Sequence, residues 1–74
     1  MSNRNNLLNA KFIRILNDRE DSIWYIQGSV SPGFFMATCL WDGEKAVVRN
    51  EVLAARDLAN YPVCDTFDAA KGSL

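Results

Sequence analysis

From Ser22 to Trp41 the chain reads SIWYIQGSVSPGFFMATCLW, two runs of β-branched and aromatic residues on either side of Ser31-Pro32-Gly33. The pattern predicts two long strands, over 22–30 and 34–41, joined by a tight turn. Upstream, Ala10-Lys11-Phe12-Ile13-Arg14-Ile15-Leu16 predicts a first strand that stops at the charged turn Asn17-Asp18-Arg19-Glu20-Asp21. Downstream, Asp42-Gly43 suits a two-residue type I′ hairpin, because glycine takes a positive φ freely. A short fourth strand over 45–49 follows. Asn50 then suits a helix N-cap, and Glu51 stands where a helix dipole favours an anion. The alanine- and leucine-rich stretch over 51–60 reads as a helix ended by Tyr61-Pro62. Residues 63–67 add an extended segment, and loose ends are expected at 1–9 and 70–74, with Leu7 and Leu8 docked on one helical turn. The expected fold is α+β: a four-stranded antiparallel β-meander followed by one α-helix packed on one face, ββββα, in a single domain over 1–74.

Turns set register, and register sets faces, because strand side chains alternate. A turn at Pro32-Gly33 places Val30 opposite Phe35, Ile26 opposite Cys39 and Trp24 opposite Trp41. Closing the first hairpin over Asp18–Asp21 places Ile15 opposite Trp24 and Ile13 opposite Ile26. The Asp42-Gly43 turn places Cys39 opposite Ala46 and Ala37 opposite Val48. All three agree on one uncharged face: Ile13, Ile15, Trp24, Ile26, Gly28, Val30, Phe35, Ala37, Cys39, Trp41, Ala46 and Val48. This is the expected core, with Gly28, Ala37, Cys39 and Ala46 as a floor of small residues under the helix.

The opposite face collects Phe12, Arg14, Leu16, Ile23, Tyr25, Gln27, Ser29, Phe34, Met36, Thr38, Leu40, Lys45, Val47 and Arg49. A solvated sheet face should be polar, yet eight of these are large and apolar, and no second helix is expected to cover them. Burying each would contribute roughly 1.5–3 kcal/mol, which together rivals the ~5–15 kcal/mol stability of a small domain. A patch of that size marks an interface. Its expected partner-binding residues are Phe12, Arg14, Tyr25, Phe34, Met36, Leu40, Val47 and Arg49. Leu53 joins them as an apolar residue amid the polar side of the expected helix, either leaning on the termini or serving as an exposed anchor.

Composition narrows the function. Half the chain is apolar and 23% is charged, which fits a folded domain rather than a disordered tail. A net charge of −1 provides no general field to attract nucleic acid or anionic lipid. No apolar run approaches the ~20 residues of a membrane span, and the polar start MSNRNNLLNA lacks the apolar segment of a secretory signal. A cytoplasmic location without membrane contact is expected. With no histidine and only Cys39 and Cys64, the usual zinc sets cannot be assembled, so neither metal nor cofactor is expected. The two cysteines read as reduced thiols with Cys39 in the core, or else as one bridge tying the tail to the sheet.

Enzyme chemistry finds little purchase. Asp65 and Asp68 read as solvated tail carboxylates, and Cys39 has no histidine to activate it. Arg14, Tyr25, Lys45, Arg49 and Phe12 on one face would mix cations with aromatic platforms, as single-stranded nucleic-acid binders do. In order of elements alone, the meander and helix resemble the dimeric transcriptional coactivators that bind single-stranded DNA (positive cofactor four). That resemblance implies a single-stranded nucleic-acid binder, the alternative function. The leading expectation is a non-catalytic protein-binding module, an inhibitor or adaptor that blocks a larger assembly, of the kind phages and mobile elements carry. Its partner is another protein or a second copy of itself through the apolar sheet face.

Overall fold

Two turns of the same design set up the meander. At Asn17 the backbone N–H donates to Glu20 C=O (2.9 Å), while its side-chain Oδ1 accepts from the N–H groups of Arg19 and Glu20. Asp42 repeats this over Glu44 and Lys45, with its own N–H donating to Lys45 C=O (3.1 Å). Both are asparagine/aspartate turns, in which a short side chain takes over the acceptor role of the backbone. Between them, Pro32-Gly33 closes the central hairpin with Gly33 at φ +83° and Ser31 opposite Phe34.

The computed structural model describes residues 8–72. They form β1 (Phe12–Leu16), β2 (Asp21–Ser31), β3 (Phe34–Trp41), β4 (Ala46–Ala54), α1 (Ala55–Leu58), β5 (Val63–Cys64) and α2 (Phe67–Lys71). The sheet is antiparallel, in the order β4-β3-β2-β1-β5. The α+β class and the four-strand meander hold, but the arrangement is not ββββα. The helix expected over 51–60 shrinks to the four residues of α1, a fifth strand pairs with β1, and a second short helix follows.

The expected helix gives way because β4 matches β3 along its whole length, from Ala46 opposite Trp41 to Ala54 opposite Phe34. Asn50, read as an N-cap, spends its side chain across the strands instead: its Oδ1 accepts from Thr38 Oγ1 (2.6 Å) and Gln27 Nε2 (3.3 Å). Local helix propensity of a few tenths of a kcal/mol per residue is easily overridden by such pairing.

Registers shift in a way that decides the faces. Along β1–β2, Ile13 lies opposite Trp24 and Ile15 opposite Ser22, two residues from expectation, so the faces are kept. Along β2–β3, Trp24 lies opposite Cys39 and Ile26 opposite Ala37, again a slip of two. Irregularities beyond Ile26 and Ser29 turn Val30 out to 51% exposure. At the other end of that pair a bulge sets Trp41 opposite Ile23, taking it off the expected core face. In β4, Ala46 lies opposite Trp41 but Arg49 opposite Cys39, one residue too many for simple alternation. This bulge inverts β4: Val47, Arg49, Glu51 and Leu53 share the core face, while Val48, expected inside, is 83% exposed.

The core face holds Ile13, Trp24, Ile26, Phe35, Ala37 and Cys39, all at most 3% exposed, and is closed by Leu58 of α1. Leu8, Ile15, Val47, Leu53, Ala55 and Tyr61 pack around it. From β4 the chain crosses this face through α1 and Tyr61, pairs at the far edge as β5, and returns over the opposite face as α2. Of the loose ends, 1–7 and 73–74, including Leu7, lie outside the described residues. Within them, Leu8 reaches the core and Ala70 is fully buried.

Candidate interaction surface

Much of the second face is covered from within, contrary to the expectation of an open sheet. Thr66 caps α2 by accepting a hydrogen bond at Oγ1 from Ala69 N–H (3.0 Å), with Asp68 in the first turn and Lys71 in the last, each suited to the helix dipole. That pattern, Thr-Phe-Asp-Ala-Ala-Lys, was the available sequence signal for this second helix.

Arg14 holds α2 down. Its guanidinium grips Asp21 with two hydrogen bonds, Nε to Oδ1 and a terminal nitrogen to Oδ2, both 2.7 Å. The other terminal nitrogen donates to Lys71 C=O, also at 2.7 Å. The same guanidinium lies 5.4 Å from the Trp41 ring centre, and Lys71 Nζ stands 5.5 Å from that ring. The Asp21 hydrogen bonds raise the Arg14 pKa and hold the Asp21 carboxyl below its usual value. Ile23 and Ala70 are fully buried, and Arg14 is only 5% exposed. Arg14, expected to meet a partner, is a structural clamp instead.

The remaining expected residues divide. Val47, Arg49 and Leu53 belong to the opposite face: Arg49 lies 5.6 Å from the Trp24 ring centre, and Leu53 faces Phe35. Leu53 is therefore a strand residue at the core margin, not an apolar residue on the polar side of a helix. Leu40 is partly buried beside the bulge. Phe12, Tyr25, Phe34 and Met36 stay on the second face. Phe12 and Tyr25 pair across strands with ring centres 5.1 Å apart. Phe34 is 44% exposed, and Met36 lies opposite Val52, itself 53% exposed. Val48, placed inside because the bulge was not legible, and Val52, placed in a helix, extend this patch to the sheet edge. A polar strip, Gln27-Thr38-Asn50, runs between the two aromatic groups. A shallow recess lined by Gly33, Phe34, Ala54, Ala55 and Arg56 adjoins the patch.

The other candidate groups are a buried thiol and an ion-paired carboxylate. Burial pushes the Cys39 thiol pKa up, the reverse of an activated nucleophile. Asp65 is drawn down by its hydrogen bond from Lys11 Nζ, which favours the ionised form rather than a general acid. Cys39 and Cys64 are both free, and Cys64 pairs with Phe12 at the β5 edge. No helix among the described residues is long and apolar enough to cross a membrane. No protein-family model matches the chain, and no curated protein or solved structure matches it.

Proposed function

We propose that the chain is a non-catalytic protein-binding module that acts by occupying a surface of a larger protein. The observation carrying this reading is the uncovered half of the second face, where Phe34, Met36, Val48 and Val52 remain beside the region closed by α2. The domain has a second helix to spend on this face and spends it at the other end. An apolar patch left open under those conditions is the expected footprint of a partner.

The single-stranded nucleic-acid reading loses its supports. Arg14 is engaged beneath α2, and Arg49 lies across the sheet from Tyr25, so neither stands free beside the Phe12–Tyr25 pair. The element order behind the coactivator resemblance has also changed.

Met36→Asp tests the proposal. On a solvated face the aspartate keeps its hydration, so circular dichroism should retain the wild-type fold. At an interface centre the same carboxylate would lose water without a counter-ion, and partner capture from extracts of the expressing cells should be lost. Identical capture profiles for the two proteins would refute the patch as a binding surface. Micromolar binding to single-stranded oligonucleotides at physiological salt, weakened by Tyr25→Ala, would favour the alternative.

A further inference from the structure

β4 is the edge of the sheet, nine residues long, and its outer side carries no strand among the described residues. Its sequence, AVVRNEVLA, is self-complementary about Asn50. We propose that β4 pairs antiparallel with β4 of a second copy, centred on Asn50, joining the two sheets into one continuous sheet about a two-fold axis. In that register Arg49 of each copy faces Glu51 of the other. Val48 faces Val52, Val47 faces Leu53, and Ala46 faces Ala54. This goes beyond the proposed binding function and does not depend on it.

The backbone supports the same register. Ala55 N–H donates to Gly33 C=O (2.8 Å), so position 55 points toward β3. Alternation then turns the N–H and C=O groups of Val52 and Asn50 outward. Asn50 therefore meets its own symmetry mate as a hydrogen-bonded pair, with the outward groups of Val52 beside it on the same edge. The Asn50 side chain is held on the second face by Thr38 and Gln27, clear of the seam.

Charge selects among registers. Charged residues on an edge strand normally discourage pairing. Here Arg49 and Glu51, already joined at 2.7 Å within the strand and about half-exposed, stand one on each side of the axis. A slip of two residues would oppose Arg49 with Arg49, or Glu51 with Glu51, and like charges directly opposed destabilise a strand pair. The centred register alone opposes unlike charges at both positions. It also places the exposed Val48 against Val52 of the second copy, continuing the apolar second face across the seam.

Sedimentation equilibrium on the full chain tests this, with circular dichroism as the check on folding. The wild type is expected to dimerise. Arg49→Glu and Glu51→Arg should each weaken the dimer ~ten-fold or more, since each reverses two symmetry-related contacts. The double variant Arg49→Glu/Glu51→Arg should restore it, because unlike charges again face each other. Met36→Asp should leave the dimer intact. A wild type that stays monomeric at millimolar concentration would overturn the proposal, as would single reversals without effect or a double variant that fails to recover. A dimer dissolved by Met36→Asp but indifferent to the reversals would place the second copy on the sheet face, which also overturns it.

Discussion

Replacing Asp21 with alanine removes both carboxylate oxygens from a guanidinium whose side chain is only 6% exposed. Arg14 keeps its bond to Lys71 C=O and its place near the Trp41 ring, but two charge-assisted hydrogen bonds vanish. Removing one partner of a buried ion pair costs ~3–5 kcal/mol. Asp21 retains 29% exposure, so water can replace part of what is lost, and about 3 kcal/mol is expected. For a domain of this size each kcal/mol moves Tm by roughly 4–8 °C, so the melt should fall by roughly 12–24 °C. Arg14→Met, which removes the charge and keeps the bulk, should cost less, because Asp21 can hydrate where it stands. The ion pair also sets an acid limb. The folded-state pKa of Asp21 lies below that of an unfolded aspartate, ~3.9. Its stabilisation is therefore complete above the unfolded pKa and is lost as pH falls through the folded one. Tm measured from pH 6 down to about 2 should drop more steeply for wild type than for Asp21→Ala, the two curves converging in acid. Equal melts at pH 7, or parallel acid limbs, would refute the account of the Arg14–Asp21 pair as a stabilising contact.

Two further substitutions probe the backbone. At Gly43, φ is +97° and an added Cβ would stand 2.7 Å from the Asp21 carbonyl oxygen, so Gly43→Ala should destabilise by ~1–3 kcal/mol in urea melts. Ala10 adopts φ +61° while its N–H donates to Ile26 C=O, so Ala10→Gly should relieve a left-handed conformation and raise stability by ~0.5–1 kcal/mol, read as a higher urea midpoint at unchanged slope.

The three hairpins were legible from turn residues and alternation, and Ile13, Trp24, Ile26, Phe35, Ala37 and Cys39 were placed on the core face correctly. Slips of two residues did no harm, because alternation has a period of two. What sequence could not show was the bulge between Ala46 and Arg49, an odd insertion that exchanges the faces of a whole strand. Nothing in Lys45-Ala46-Val47-Val48-Arg49 announces it, since alanine and valine fit either face. Asn50 misled for a different reason: its side chain caps a helix or bonds across strands equally well, and only β3 decides which. The α2 helix was written in Thr66, Asp68 and Lys71, but five residues are too few for apolar periodicity to stand out. For the candidate surface, Phe12, Tyr25, Phe34 and Met36 follow from parity along β1, β2 and β3, whereas Arg14 was misjudged because a cation on an apolar face reads as exposed until its counter-ion is seen.

The path of residues 55–72 around the sheet has a consequence for the order in which the protein folds. The meander over 12–54 is joined by neighbouring hairpins and can pair early, whereas Arg14 must close a span of 57 residues to reach Lys71, and Lys11 one of 54 to reach Asp65. Contacts so distant in sequence carry a loop-closure cost that local hairpins avoid, so they form late. During folding, then, Ile23 and Trp41 stand uncovered on the paired meander until α2 docks to close them. The helix α2 acts as the latch of the sheet, and a meander on which it has not yet docked keeps Ile23 and Trp41 exposed.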